Sequence, residues 1–408
     1  MLTRRQFLQS IAVTAGYYML PLGKGGFAFA SGMPAQKRLI VLFLRGAVDG
    51  LSVVVPYRES DYYGKRPNIA LALPGQEGGV IDLDGSFGLN PSLAPLMPYW
   101  NNKSLAFVHA CGIPTNIRSH FEAQDIIETA SLDSVHPYGW MNTLVGVLPD
   151  KHSSIAALSF SNKLPKIFTG TNNVATVSPG LKADSKPGFD NPKLEQDFAS
   201  LYAGNSALNG LYNEGTKSRA QLVDDLRKEM TASGGGAPFP DGFPGQAAKL
   251  AAMIRQDPGI EIAFMDLGGW DTHVNQGNGK GQLAEKLDKL GVGLATLAQD
   301  LGSEYSNTTI MVISEFGRTV AENGNKGTDH GHGNVVWLMG GGVNGGKVHG
   351  SWPGLAENQL FEGRDLAITT DFRTVIITVL KGQFGFDDAT IAKVIPNFTP
   401  NSDLNLFV

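Results

Sequence analysis

Six runs of apolar and β-branched residues mark the chain at 38–44, 105–110, 155–160, 260–267, 308–313 and 335–339, and each ends in glycine or a polar turn. Most are continuously apolar rather than alternating, the pattern of strands covered on both faces. Between them, helical spacing runs through 121–130, 139–147, 246–255, 282–301 and 372–380. Strand–helix alternation predicts an α/β fold, a doubly wound, largely parallel sheet with helices on both faces. Residues from about 180 to 245 break the rhythm. Polar, Pro/Gly-containing sequence there surrounds helical segments near 193–202 and 218–230, and TASGGGAPFPDGFPG (231–245) reads as a loop. This stretch predicts a helical insertion or cap, and no internal repeat is visible.

The first thirty residues do not fit that pattern. Arg4-Arg5 is followed by Phe7-Leu8, a mildly apolar stretch from Ile11 to Leu22, and Ala28-Phe29-Ala30. A basic start, a short apolar core and a small-x-small end describe an export signal, and the paired arginines point to the twin-arginine route. The apolar stretch falls short of the roughly 20 residues of a membrane span. Cleavage after Ala30 is expected, leaving one domain over 31–408 in the periplasm or outside the cell, with the twin-arginine translocase as partner during export. That route carries folded proteins, so a metal could be acquired before export. The single cysteine, Cys111, rules out an internal disulfide. It lies in LAFVHACG, as a small buried hydrophobe would.

Formal net charge is −5, and removing 1–30 takes away Arg4, Arg5 and Lys24 but no acid, leaving about −8. That balance disfavours nucleic acid and anionic membrane surfaces as partners. No later segment is long and apolar enough to span a bilayer. The remaining length is ample for one large α/β domain with an insertion.

Acidic residues and histidines cluster at a few strand ends. Asp271 and His273 sit in GGWDTH, Glu315 in ISEFGRT, Asp329, His330 and His332 in TDHGHG, and Asp49 ends an apolar run in LRGAVDG. Carboxylate with imidazole is the ligand set of zinc, manganese and similar divalent ions. Asp271 and His273 are spaced i, i+2, so extended backbone would turn both to one ion. His330 and His332 share that spacing, and one of the three TDHGHG residues could instead orient a ligand. Flanking glycines would let backbone approach an ion closely. Glu315 could bind metal or act as a base, while Arg318 or Arg45 could hold an anion. Asp49 also reads as an Asp-Gly turn. In IRSHFEAQD, Ser119 and Glu122 form a capping box. The same helix start favours an anion, with Arg118 and His120 beside a hydroxyl that a metal or base could activate. GGVNGGK (341–347) lacks the Ser/Thr and the helix of a phosphate loop, so ATP binding is not expected. His109, His136, His152 and His349 have no partner pattern.

The twin-arginine start, LRGAVDGL, RSHFEAQD, GGWDTH, SEFGRT and DHGHG, in this order, resemble the domain-of-unknown-function 1501 family over essentially the whole mature chain. That family is regarded as a distant branch of the alkaline phosphatase and sulfatase superfamily, whose members use a two-metal site on a doubly wound sheet. The resemblance implies roles. Asp49 resembles the first metal carboxylate, Ser119 the nucleophile, Asp271 and His273 ligands of the first metal, and His330 or His332 the last histidine ligand. Glu315 resembles the acid of an Asp-His pair, and Thr370-Asp371-Phe372 the closing segment of sulfatases. That pair is here Glu315-Phe316, so one imidazole is missing. His120 or the spare histidine of DHGHG replaces it, or the second ion is absent.

The leading expectation is therefore an exported hydrolase of phosphate or sulfate esters, its substrate an anionic small molecule or glycan ester. One or two divalent ions (zinc, manganese, magnesium or calcium) would serve it. Ser119 would attack, a metal at Asp271, His273 and His332 would polarise the ester, and a second cation near Asp49 and Glu315 would activate the nucleophile. Arg45, Arg118 or Arg318 would hold the anionic group. One alternative is an exported binding or assembly protein that keeps the fold and one metal. Another is a hydrolase or transferase that uses water in place of Ser119.

Overall fold

The computed structural model describes residues 36–133, 136–149, 156–161, 163–177, 234–235, 237–257, 259–400 and 402–408. The expected signal peptide, its cleavage point, His152 and the expected insertion up to residue 233 lie outside them. In chain order the strands are β1 (Arg38–Leu44), β2 (Val54–Val55), β3 (Ile81–Asp82), β4 (Gly88–Leu89), β5 (Leu105–Gly112) and β6 (Ala157–Phe160). They continue with β7 (Ala175–Thr176), β8 (Ile262–Leu267), β9 (Thr308–Ser314), β10 (Asn334–Gly340), β11 (Lys347–His349) and β12 (Thr370–Asp371). The main sheet runs β11-β5-β10-β9-β1-β8-β6-β7, with β12 also on β5, while β2, β4 and β3 make a small antiparallel sheet.

β1 lies at the centre because every residue of RLIVLFL is buried, the composition of a strand without a solvent face. Its side chains alternate between two cores. Leu39, Val41 and Phe43 share one with Ala123, Ile126 and Ile127 of α1 (His120–Thr129), Met141 and Leu144 of α2 (Trp140–Val147), and Val375 and Val379. Ile40, Leu42 and Leu44 share the other with Leu250 and Ile254 of α3 (Phe243–Gln256) and with α4 (Gln282–Leu301). α4 turns Leu283, Leu287, Leu290, Leu294, Leu297 and Leu301 inward at helical spacing; each fully buried leucine contributes about 1.5–3 kcal/mol. Val375 and Val379 belong to α5 (Phe372–Phe384), which continues from β12. Helices thus cover both faces, as expected of a doubly wound sheet. No helix among the described residues is long and apolar enough to cross a membrane.

Two details differ from the pattern reading. α3 begins at Phe243, inside the stretch read as loop, because Gly242 serves as N-cap and Pro244 falls in the first turn, where its missing N–H costs nothing. β10 runs antiparallel to both β9 and β5, while β1 is parallel to β8 and β9. Leu44 aligns with Leu267 and Ser314, so three carboxyl ends lie side by side. Asn334, which starts β10, pairs with Cys111 near the carboxyl end of β5. The reversed strand therefore delivers the segment before it, TDHGHG, to the edge that the parallel strands reach with their ends. The α1 start follows β5 at that same edge, where open α/β sheets bind ligands.

Candidate metal centre

Each loop at this edge is fixed by its own sequence. After β8 the chain turns through Gly269 (φ +86°), a backbone conformation that disfavours other residues. Trp270 is buried and its Nε1–H donates to Leu267 O at 2.9 Å, which anchors Asp271. SEFGRT and TDHGHG pack backbone to backbone: Gly317 N donates to His332 O at 2.9 Å and Gly331 N to Gly317 O at 2.8 Å. A Cβ on Gly317 would meet Gly333 O at 1.8 Å. The glycines expected to admit an ion thus let two loops touch.

Together the loops assemble one centre. His120, Asp271 and His330 each offer a ligand atom, all within 4.8 Å of one another, the one such group among the described residues. His330 Nε2 lies 3.0 Å from His120 Nε2 and 3.1 Å from His273 Nε2. His273 Nε2 is 2.9 Å from Asp271 Oδ1.

Every Nδ1 is held from behind. His120 Nδ1 faces Glu315 Oε1 at 2.8 Å, His273 Nδ1 faces Asp329 Oδ1 at 3.1 Å, and His330 Nδ1 faces Arg118 O at 2.9 Å. Those partners only accept, so each neutral ring carries its proton on Nδ1 and turns its Nε2 lone pair into the shared space. The His330 lone pair, 3.0 Å from that of His120 and 3.1 Å from that of His273 and beside a carboxylate, is repelled unless a cation or a proton lies between them. Nitrogens sharing one ion at about 2.1 Å are themselves roughly 3–3.4 Å apart. Asp271 Oδ2 is buried and has no hydrogen-bond partner among the described residues, as suits an oxygen awaiting a cation. The donor set of His120, Asp271 and His330 therefore fits one divalent ion, with His273 beside it against His330 and Asp271.

The electrostatics agree. Burial alone would lower the His120 imidazole, but Asp271, 3.6 Å from its Nε2, and the hydrogen bond to Glu315 lift it to about 9. Burial disfavours an ionised Asp271, yet the Arg318 guanidinium holds its carboxyl well below the usual range. Burial likewise opposes protonation of His273, and Asp271 and Asp329 overcome it. The metal-free site thus gathers protons where a metal would bring charge.

Other expected residues take different places. Glu315 does not face the ion: its Oε1 accepts from His120, from Gly46 N at 2.8 Å and from Gln124 Nε2 at 2.9 Å, and its Oε2 from Ser314 at 3.0 Å. It holds His120. Asp329 likewise backs His273 and accepts from Asn323 Nδ2 at 2.9 Å. Of the two TDHGHG histidines, His330 enters the centre; His332 stacks on Phe361 with ring centroids 4.1 Å apart. Phe316, where the resemblance implied an imidazole, packs against His120 and His330 at 4.9 and 5.2 Å.

Asp49 is corrected more strongly. It is fully buried and accepts from Arg66 Nη1 at 2.6 Å, Arg66 Nη2 at 3.0 Å, Ser52 Oγ at 2.7 Å and Gln276 Nε2 at 2.7 Å. A guanidinium, that of Arg66, occupies the side of Asp49 expected to face a second cation. Nothing in GKRPNI distinguished Arg66 in the sequence.

Two of the three expected anion-holding arginines are already committed. Arg45 reaches Asp266 at 2.7 Å, Glu128 at 2.6 Å and Gln124 at 2.9 Å. Arg318 is buried and donates to Asp271 Oδ1 at 2.5 Å and to Thr328. Arg118 remains partly exposed, bound to Glu362 at 2.6 Å and Asp365 at 2.9 Å. Ser119 is exposed at the start of α1, and the expected capping bond to the helix is not made. It directly precedes His120 in the chain. His109 is buried, 2.9 Å from Val54 O, and burial lowers it to about 4. Cys111 is a buried free thiol.

Among curated proteins, none matches the sequence. Similar solved structures include a protein in the alkaline phosphatase superfamily from Vibrio parahaemolyticus, 9% identical over 75% of this chain and 60% of that one, with a TM-score of 0.35. The C-terminal periplasmic domain of EcEptC from Escherichia coli is 11% identical over 90% and 89% of the two chains (TM-score 0.37). The lipoteichoic acid synthase LtaP from Listeria monocytogenes is 8% identical over 75% and 66% (TM-score 0.36). The chain thus spans under two thirds of the length of the first of these relatives. Residues 36–396 match the family model described as protein of unknown function (DUF1501), and with nearly the whole described domain inside that match, the chain belongs to the DUF1501 family.

Proposed function

We propose that this chain is an exported, metal-dependent hydrolase of phosphate or sulfate esters, built on one divalent ion held by His120, Asp271 and His330, with His273 beside them. The observation that carries this reading is the convergence of the His120 and His330 Nε2 atoms on Asp271, one of whose oxygens has no hydrogen-bond partner among the described residues, with each Nδ1 tied from behind. When bound, a divalent ion supplies Lewis-acid polarisation of an ester oxygen and makes water more acidic. The chain's own residues do the rest. Glu315, Asp329 and the Arg118 carbonyl fix the imidazoles, and second-layer partners of this kind raise ligand basicity. The Arg118 side chain, the one expected arginine still partly exposed, holds the anionic group. The Ser119 hydroxyl, unengaged by its helix and next in sequence to His120, is the nucleophile of this reading.

The test is elemental analysis of the full chain with assays of 4-nitrophenyl phosphate and sulfate. About one equivalent of metal, lost in Asp271→Ala, with hydrolysis lost in Ser119→Ala while metal is retained, supports the reading. No metal in the wild-type chain sinks it. Hydrolysis that survives Ser119→Ala moves the chemistry to water. A second reading, a binding or assembly protein with one ion and no turnover, is favoured by Arg66 occupying Asp49. Metal content without hydrolysis of any ester would select it. Export by the twin-arginine route and a periplasmic or extracellular location belong to the same proposal, on the strength of Arg4-Arg5 and Ala28-Phe29-Ala30.

A further inference from the structure

Behind the proposed centre lies a continuous buried polar chain. Gln276 is fully buried and uses both ends of its amide. Its Nε2 donates to Asp49 Oδ2 at 2.7 Å, and its Oε1 accepts from Thr272 Oγ1 at 2.7 Å and Thr328 Oγ1 at 2.8 Å. Thr328 Oγ1 accepts in turn from Arg318 Nε at 3.2 Å, and Arg318 Nη1 donates to Asp271 Oδ1 at 2.5 Å. Asp49 is itself pinned by Arg66, whose Nε and Nη2 donate to Val320 O at 2.7 Å and Thr319 O at 2.8 Å.

We infer that Gln276 is a positioning residue for the metal centre, fixing Thr328 and through it the Arg318 guanidinium on one oxygen of Asp271, so that the other oxygen is presented to the ion. The inference rests on the metal reading above. Its physical basis is hydrogen-bond polarity. A hydroxyl that accepts from Arg318 must give its own proton elsewhere, and Gln276 Oε1 is where it goes. The amide cannot flip without turning Nε2 toward two hydroxyl donors and Oε1 toward the Asp49 carboxylate, so Asp49 fixes its sense. Without that anchor, Arg318 keeps its bond to the Thr328 carbonyl but loses the hydroxyl that fixes its Nε, so its guanidinium can shift across the carboxylate toward the second oxygen. Among the described residues, Gln276's side-chain hydrogen bonds go to Asp49, Ser52, Thr272 and Thr328, none of them a ligand of the ion. Outer partners of this type set metal affinity by about 10- to 100-fold.

The experiment titrates Co²⁺ into the metal-stripped full chain and reads the d–d bands, a signature of ligand geometry that general destabilisation does not move. Gln276→Leu and Thr328→Val remove the two links with little change in volume, while Thr328→Ser keeps the hydroxyl. The expected result is Co²⁺ binding weakened about 10- to 100-fold with shifted bands in the first two, and binding within about threefold of wild type in Thr328→Ser. Unchanged affinity and bands in Gln276→Leu or Thr328→Val would overturn the inference and leave the metal reading standing. Should Gln276→Leu not fold, Thr328→Val compared with Thr328→Ser decides. No Co²⁺ spectrum in the wild-type chain overturns both readings together.

Discussion

Replacing Asp49 with asparagine separates a carboxylate that binds metal from one that binds arginine. Both members of the Asp49–Arg66 pair have fully buried side chains, joined at 2.6 Å. Burial penalises the Asp49 charge, but Arg66 more than offsets it and holds the carboxyl below its ordinary value. The asparagine is isosteric, yet it removes one charge and turns an N–H₂ toward donors. Arg66 keeps two backbone carbonyls and Ser52 Oγ, none of which carries a charge. Leaving one buried ion without its partner costs about 3–5 kcal/mol. Urea denaturation of the metal-free protein at neutral pH should therefore show Asp49→Asn destabilised by about that amount, while when folded it still binds one equivalent of metal, weakened by no more than the roughly 10- to 100-fold expected of losing the Gln276 anchor. Asp271→Asn should do the opposite at the centre and abolish metal binding. Asp49→Asn with stability within about 1 kcal/mol of wild type and metal binding lost would refute the assignment and return Asp49 to the ligand set.

Three further outcomes are expected. In the metal-free protein, His120 is raised from 6.5 to about 9, so its contribution is fully present below pH 6.5 and is lost as pH rises through 9. The gap corresponds to at most about 3 kcal/mol, and stability curves at pH 6 and 9.5 should differ by up to that amount without metal and by less with it. Equal metal-free curves would show that His120 gains no proton. Glu315→Gln puts an amide N–H against the donors now shared by His120, Gly46 and Gln124, and isothermal titration should show metal bound about 10- to 100-fold more weakly; an unchanged affinity would remove Glu315 from behind His120. Changing Arg4-Arg5 to Lys-Lys should hold the chain in the cytoplasm, and the mass of exported wild-type protein should correspond to cleavage after Ala30. Export of the lysine variant would rule out the twin-arginine route.

Much of the fold was legible from local pattern. RLIVLFL could only be a strand covered on both faces, and the leucine spacing of α4 gave its bounds at Gln282 and Leu301. The motifs that reach the centre were equally visible, because Asp271, His273 and His330 stand in glycine-rich loops beside strand ends. What the sequence did not carry was which atoms meet. The i, i+2 spacing made His330 and His332 equivalent, and only the antiparallel entry of β10 with the backbone pairing of Gly317 and Gly331 sends one imidazole to the centre and the other to Phe361. Asp49 and Asp271 likewise both follow strands of one edge. Their difference lies in Arg66 and Arg318, which reach them across 17 and 47 residues. Periodicity records which face of an element is buried, because burial acts on each side chain locally. Pairing of charges depends on tertiary proximity, so it is decided only when distant loops close on one another.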